Sequence, residues 1–410
     1  MRDTDLYQRI LGIQPPWTIS GVELDTPSKE VRVLVENLDP ELPCPTCGHL
    51  CSRYDSRSRR WRHLDTCQFQ TILVAEVPRV SCPDHGVKQV QVPWGEPSSR
   101  FTALFEALVI DWLKEGSISA VSRLLGLSWD EVDGIMARAV QRGLARRHQQ
   151  LPSRLGVDET SFQRRHQYVT ILMDQDRGTV VHIGDGRDRA ILDDFFAHFS
   201  EPQRQAVESV AMDMWDAYIV SVEDHIPDAE RKIAFDKFHL AKHLGEAVDK
   251  VRREEHKALL GQGVETLKGS KYLWLTNPDS FDAQRWAAFQ PLRTATLKTA
   301  RAWALKEVAM SLWRYRSRAW ARKGWLRWYG WAIRSRLEPI RKVARMVKRH
   351  LDGILNAVTL RITNARAEGI NATVQRIKFT ARGYRNRERF RNAIYFHLGG
   401  LDLYPATLNR

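Results

Sequence analysis

Five cysteines, at positions 44, 47, 51, 67 and 82, all fall in the first fifth of a 410-residue chain, and their spacing constrains the fold more than any other feature. Cys44-Pro-Thr-Cys47-Gly48 and Cys82-Pro-Asp-His85-Gly86 share one form, two soft ligands three positions apart closed by a glycine. In a reducing compartment such crowding favours a metal over disulfides. Zinc takes four sulfur or nitrogen ligands at the corners of a tetrahedron, and two knuckles from separate parts of a domain supply them. Cys44, Cys47, Cys82 and His85 are therefore the expected structural Zn2+ set. Cys51, His49 and Cys67 stand as other partners, and free buried thiols as the metal-free alternative. The strands between the knuckles, around 60–64 and 70–80, are expected to form a small sheet that the ion clamps. Before them the pattern predicts a short helix over 4–13, then a hairpin from Trp17 to Asp25 and Glu30 to Asp39.

Charge narrows the partners. The net charge is +14 with a pI near 9.7, and the simplest polyanion to meet it is nucleic acid, although a solvated basic surface carries the same charge. Much of the excess is local. Between Arg293 and Arg349 there are seventeen Lys and Arg against two acids, Glu307 and Glu338, with Trp303, Trp313, Trp320, Trp325, Trp328 and Trp331 interleaved. This region, 241–360, reads as helical throughout, too long for a loop inside a core. Arg314, Arg316 and Arg318 are expected to track phosphates, with one or two of the aromatics free to stack on unpaired bases. The others have the spacing of helix–helix contacts. No stretch approaches the ~18 apolar residues of a membrane span, and the first residues lack a signal-peptide core. The expectation is a cytoplasmic protein acting at the nucleoid, with no membrane partner.

Taken in order, residues 92–99 read as a linker. Phe101–Glu115 is an amphipathic helix with Phe101, Leu104, Phe105, Leu108, Val109 and Trp112 on its inner face. The segment 119–128, with Gly126 and Ser128, leads into a second helix over 129–140, the form of a helix-turn-helix. Its acidic start (Asp130, Glu131, Asp133) suits a helix dipole better than a major groove, so Arg138, Arg142, Arg146 and Arg147 are the expected phosphate contacts. From Leu151 the pattern gives three strands (155–162, 168–174, 179–184), a helix over 191–199, a strand over 207–213, a helix over 217–225 and a strand over 231–235.

Two of these strands end on carboxylates, Asp158 and Asp213, and a later helix carries Glu368. Carboxylates gathered at strand ends suit hard cations such as Mg2+, and two ions about 4 Å apart serve phosphoryl transfer. Ordinary turn and capping roles account for such acids equally well. Asp216 rivals Asp213, which is preferred because it ends the apolar strand. Asp236 and His239, at a strand-to-helix junction, either join this group as accessories or are an N-cap and an outer-face residue. Basic residues follow Glu368, among them Arg376, Lys378 and Arg382, placed to hold a strand by its phosphates.

With these features the chain resembles the ISL3 group of transposases over nearly its whole length. The group's Asn-x-x-x-Glu-Gly-x-Asn stretch is matched by Asn364, Glu368 and Asn371. The resemblance implies an α/β and α multidomain protein: a zinc-binding β-rich domain (1–93), a helix-turn-helix domain (98–150), and an RNase H-like mixed-sheet core (151–240 and 361–410) interrupted by a basic helical insertion (241–360). It implies a DDE catalyst in which Asp158, Asp213 and Glu368 hold two Mg2+, with Mn2+ able to substitute. The expected DNA partners are element ends and target, bound by a homodimer or higher oligomer. A zinc-dependent regulator without chemistry, or a nuclease without strand transfer, would share most of these features.

Overall fold

The computed structural model describes residues 2–163, 167–360 and 365–406. Two compact units emerge, Met1–His148 with Thr380–Arg382 and Glu388–Arg410, and Gln149–Phe379 with Gly383–Arg387. The residues from 388 onward thus group with the first unit, where the sequence pattern joined them to the core.

The first unit opens with α1 (Asp3–Ile10) and continues through β1 (Trp17–Asp25), β2 (Glu30–Asn37), β3 (Glu41–Pro43), β4 (Leu50–Thr66), β5 (Phe69–Cys82) and β6 (Gly86–Gln89). These strands form one sheet in the order β1-β2-β5-β4-β3, with β6 on β5. The expected two-strand clamp is therefore part of something larger. The Val31, Val33 and Val35 row of β2 has the two-residue period that buries one face, and it finds its neighbour in β5, pairing in parallel at Val33↔Leu73. Trp17, Trp94 and Trp61 close this core edge-to-face, with centroids 4.9 and 5.4 Å apart.

Three helices follow, α2 (Ala103–Glu115), α3 (Ile118–Leu125) and α4 (Trp129–Arg146). Gly126 ends α3 and Ser128 caps α4, its hydroxyl accepting from Glu131 N at 3.2 Å while the Glu131 carboxylate accepts from Ser128 N at 2.8 Å. The inner face of α2 differs from the expected one. Phe105, Glu106, Val109, Ile110 and Leu113 are buried, while Leu104 and Trp112 are exposed. The helix is apolar nearly all round, so two faces fitted a 3.6-residue period and packing chose between them.

The second unit holds β7 (Arg154–Gln163), β8 (Gln167–Asp174), β9 (Thr179–Asp185), α5 (Arg189–Ala197), α6 (Glu201–Gln205), β10 (Ser209–Met212), α7 (Asp216–His225), α8 (Ala229–Lys232) and β11 (Ile233–Phe235). Its sheet runs β11-β10-β7-β8-β9. The first three strands in sequence form an antiparallel meander, while β10 and β11 add to β7 in parallel, the mixed arrangement expected of an RNase H-like core. Leu192, Phe195, Phe196 and Phe199 turn inward as their spacing required.

The region beyond is helical: α9 (Lys237–Leu260), α10 (Lys271–Leu275), α11 (Ala283–Thr294), α12 (Lys298–Ser311), α13 (Arg318–Ile333), α14 (Glu338–Arg349) and α15 (Leu351–Thr359). α9 starts directly after β11, so core and insertion share one rigid element. Trp274, Trp325 and Trp328 are fully buried, and Trp328 Nε1 donates to the Leu305 carbonyl at 2.8 Å. α15 seals the edge of the sheet, with the Asn356 amide donating to the carbonyls of Ile233 (2.7 Å) and Glu230 (2.9 Å). Then come α16 (Ala365–Thr380) and α17 (Arg387–Leu398). Among the described residues no helix is long and apolar enough to cross a membrane.

Candidate active site

Strand register builds the site. Ser209, Val210 and Ala211 of β10 lie beside Arg154, Leu155 and Gly156 of β7, and Val210, Ala211 and Met212 lie beside Ile233, Ala234 and Phe235 of β11. Carried to the next residues, the same register sets Asp213 level with Asp158 on one side and with Asp236 on the other. Three carboxylates thus stand in a row across neighbouring parallel strands, roughly 4.8 Å apart from strand to strand. Asp213 and Asp236 follow the last residues of β10 and β11, whereas Asp158 lies midway along β7, which runs on to Gln163 and does not end on its acid as expected. A cleft lined by Asp158, Asp213, Asp236, His239, Gln175 and Ala367 opens over them.

Each acid is held in one orientation. Asp158 Oδ1 accepts from the N–H of Glu159 at 2.7 Å, and Asp213 Oδ1 accepts from that of Met214 at 2.6 Å. The second oxygens face other elements: Asp158 Oδ2 accepts from the Asn371 amide, and Asp213 Oδ2 lies 3.3 Å from His239 Nδ1. Asp236 caps α9, accepting from Phe238 N at 2.8 Å, and lies 3.7 Å from His239 Nε2. The two alternatives weighed for this pair are therefore both present in part, since Asp236 is an N-cap and its His239 faces the cleft.

Electrostatics follow this geometry. The hydrogen bond it donates to Asp213 raises the His239 imidazole above its ordinary range against the effect of burial, and the charges of Asp213, Asp158 and Asp236 add to it. Burial would raise Asp213, but the hydrogen bond and charge of His239, the Met214 N–H and the charge of His243 outweigh it and hold the carboxyl low. Glu159 is pushed up by burial; Arg187 opposes this, and the charges of Asp213 and Asp158 add to it.

Glu368 approaches on α16, which runs along β7. Asn371 reaches Asp158, Gln375 Nε2 donates to Thr160 Oγ1 at 3.0 Å, and Lys378 Nζ donates to the Ser161 carbonyl at 2.6 Å. Arg366 ties the first turn to the carbonyls of Gln175 and Asp176. Glu368 lies between the cleft-lining Ala367 and Asn371, is exposed, and does not join the other acids in a tight cluster. Asn364 lies outside the described residues. Asp216 begins α7, exposed and outside the cleft lining.

The donors here are hard oxygens that suit Mg2+. One more acceptor is at hand: Asn371 Oδ1 is buried and has no hydrogen-bond partner among the described residues, which leaves it free to meet a cation or the water around one. Glu159 and Arg187 escaped the sequence reading. The Arg187 guanidinium lies over the rings of Trp215 (4.6 Å) and Tyr168 (5.0 Å), 3.8 Å from Glu159. The Asp158-Glu159 doublet was the only signal for them.

The knuckles meet as the spacing required. Among the described residues, Cys44, Cys47, Cys82 and His85 are the group whose ligand atoms all lie within 4.8 Å of one another. Gly48 (φ 74°) and Gly86 (φ 65°) take the left-handed backbone that turns each knuckle back. Cys47 Sγ is 3.7 Å from Cys82 Sγ, and Cys82 Sγ is 3.5 Å from His85 Nδ1. The edges of a tetrahedron with zinc–sulfur and zinc–nitrogen bonds of normal length are about 3.8 and 3.6 Å, so the residues fit the ion. The adjacent His85 ring lowers the Cys82 thiol to about 6 against the effect of burial. Cys51, buried nearby, is pushed up to about 11 by burial and the neighbouring thiols.

The expected phosphate contacts divide. Arg142 is buried and bound to Glu96 (2.7 Å) and Glu106 (2.9 Å), and Arg138 to Glu106 at 2.6 Å. Arg142 thus serves the interior of the unit, a correction to the phosphate role expected of it, while Arg138, a third exposed, is turned to the same acid. Arg318 is joined to Asp352 at 3.0 Å and to Asn356. Arg314, Arg316, Arg376 and Arg382 are exposed, and Lys378 is half-buried.

Comparison with known proteins agrees along the chain. Residues 155–394 match the ISL3-type DDE family model described as a transposase. Residues 90–140 match the helix-turn-helix domain of transposase family ISL3, and residues 40–85 the zinc-finger of transposase IS204/IS1001/IS1096/IS1165. The transposase for insertion sequence element IS1001 of Bordetella parapertussis is 29% identical over 95% of this chain and 97% of its own length. The transposase for insertion sequence element IS1557 of Mycobacterium tuberculosis is 28% identical over 94% of this chain and 93% of its own.

Proposed function

The chain belongs to the ISL3 family of transposases, and from that premise we propose that it binds the terminal inverted repeats of an insertion sequence and catalyses DNA strand cleavage and strand transfer. Asp158, Asp213 and Glu368 are the ion-holding residues in this reading. The observation that carries it is the shared register of Asp158 and Asp213 on adjacent parallel strands, with α16 fastened beside them. Two Mg2+ ions held there, or Mn2+ in their place, would supply activation of the attacking oxygen and stabilisation of the leaving one.

The chain's own residues orient and position. The N–H groups of Glu159 and Met214 fix one oxygen of each carboxylate. Asn371 and His239 hold the second oxygens, so each acid faces the cleft before any ion arrives. Asp236 anchors the start of α9 and keeps the His239 ring against Asp213. Water or a 3′-hydroxyl is the nucleophile, so no covalent protein–DNA intermediate is required. Exposed Arg314, Arg316, Arg376 and Arg382 take phosphates, with Arg318 and Lys378 beside them, and Cys44, Cys47, Cys82 and His85 hold a structural zinc. The functional division we propose is zinc-binding 1–93, helix-turn-helix 98–150, catalytic 151–240 with α16, and insertion 241–360, acting as a dimer or higher oligomer on DNA.

The test is a cleavage and joining assay with Mg2+ on DNA carrying the element's ends, beside a binding assay on the same proteins. Asp158→Ala, Asp213→Ala and Glu368→Ala each abolish cleavage and joining with end binding retained, while Asp216→Ala stays active. Wild type that binds its ends but never cuts would mean a regulator, and cutting without joining would mean a nuclease. Variants that cut as well as wild type would overturn the site.

A further inference from the structure

We propose that the outer face of α13 binds an unpaired DNA strand by stacking its bases on Trp320 and Trp331. The inference rests on the reading above that the chain handles DNA. Of the tryptophans in the insertion, Trp274, Trp325 and Trp328 are buried, and Trp303 nearly so. Trp320 and Trp331 are 60% and 58% exposed, a large apolar area left in water. Eleven residues separate them, three helical turns plus about 20°, so both rings lie along one line of the helix roughly 16 Å apart. The packing face, through Ala321, Trp325, Trp328 and Ala332, lies roughly a quarter-turn round the helix from that line.

Charge chooses the occupant. Among the residues of α13 there is no acid. Arg327 falls on the line between the two tryptophans, and Lys323 Nζ stands 5.3 Å from the Trp320 ring centroid. Arg314 and Arg316 are exposed just ahead of the helix, and Arg334 just after it. Flat π faces alternating with cations match bases alternating with phosphates. A duplex hides its base faces in the stack and could use only the cations. Only an unpaired strand uses both.

The experiment uses the full-length protein without divalent ions, a mixed-sequence single strand, and the blunt duplex of the same length. The Trp320→Ala/Trp331→Ala double variant loses roughly tenfold or more in single-strand affinity, while its duplex affinity and salt dependence stay unchanged. Trp320→Phe/Trp331→Phe recovers part of the loss, because a smaller ring still stacks, and wild-type tryptophan fluorescence is quenched by the single strand. Equal losses on both probes, or no loss, would overturn the proposal. A changed sedimentation of the DNA-free protein with single-strand affinity intact would also overturn it, making this face a contact between copies. Absent cleavage with single-strand binding intact would sink the catalytic reading and leave this one standing.

Discussion

His63 shows what one buried side chain does to a whole unit. Its Nδ1 lies 2.8 Å from Thr102 Oγ1, the same hydroxyl that accepts from Phe105 N at the start of α2, so the ring links β4 to that helix. Burial lowers the imidazole to about 4 from its ordinary 6.5, with Arg62 adding to the effect. Below the ordinary value the unfolded chain takes up a proton that the folded one refuses. Stability therefore falls as pH drops from 6.5 toward about 4 and stops falling below that. Between pH 7 and 5, wild type should lose roughly 2 kcal/mol more than His63→Gln in urea unfolding. Cys82, lowered to about 6, also titrates in this range, but it does so in both proteins, and equal losses would show that His63 does not control the effect. Legibility at this scale followed sequence distance. Asp158 and Asp213 could be read because each ends its own apolar run. Asn371, whose amide meets Asp158, could be matched only as part of a motif, because its partner is 213 positions away. Arg138 and Arg142 read as surface cations for the same reason: Glu106 and Glu96 meet them only in the folded chain.

Among the elements, α2 and α4 are joined by that buried charge cluster. Glu106 is 1% exposed and accepts from both arginines. Replacing it with Ala takes one of two carboxylates from the buried Arg142, and breaking a buried pair costs up to about 3–5 kcal/mol. Thermal unfolding of Glu106→Ala should show this cost, and Glu106→Ala/Arg142→Met should recover part of it. A Glu106→Ala protein as stable as wild type would mean that Glu96 and the Leu403 carbonyl suffice for Arg142. The strands and helices of the core were legible from periodicity, and α5 turned the faces inward that its spacing named. α2 was not, since apolar residues on nearly every side leave the choice of face to packing. The same limit applied to α13, where spacing could not say which tryptophans the neighbouring helices would cover.

For the molecule as a whole, the positive charge and the metal act at different places. The excess charge gathers in the second unit's helices, whereas the zinc set lies in the first. Cys44→Ser or His85→Ala should remove about one zinc per chain and raise hydrogen exchange across 40–90, with exchange in β7, β10 and α9 unchanged. Metal analysis and exchange measured on the same samples check this, and freshly prepared protein without zinc would end the idea. Both units also draw on the end of the chain. The Asp158 contact comes from Asn371, and in the first unit Arg142 and Arg146 donate to the carbonyls of Leu403 and Tyr404, 261 and 258 positions on. On the ribosome, then, neither unit has all of its contacts until residues beyond 365 have been made. Until then the cleft lacks both Asn371 and Glu368.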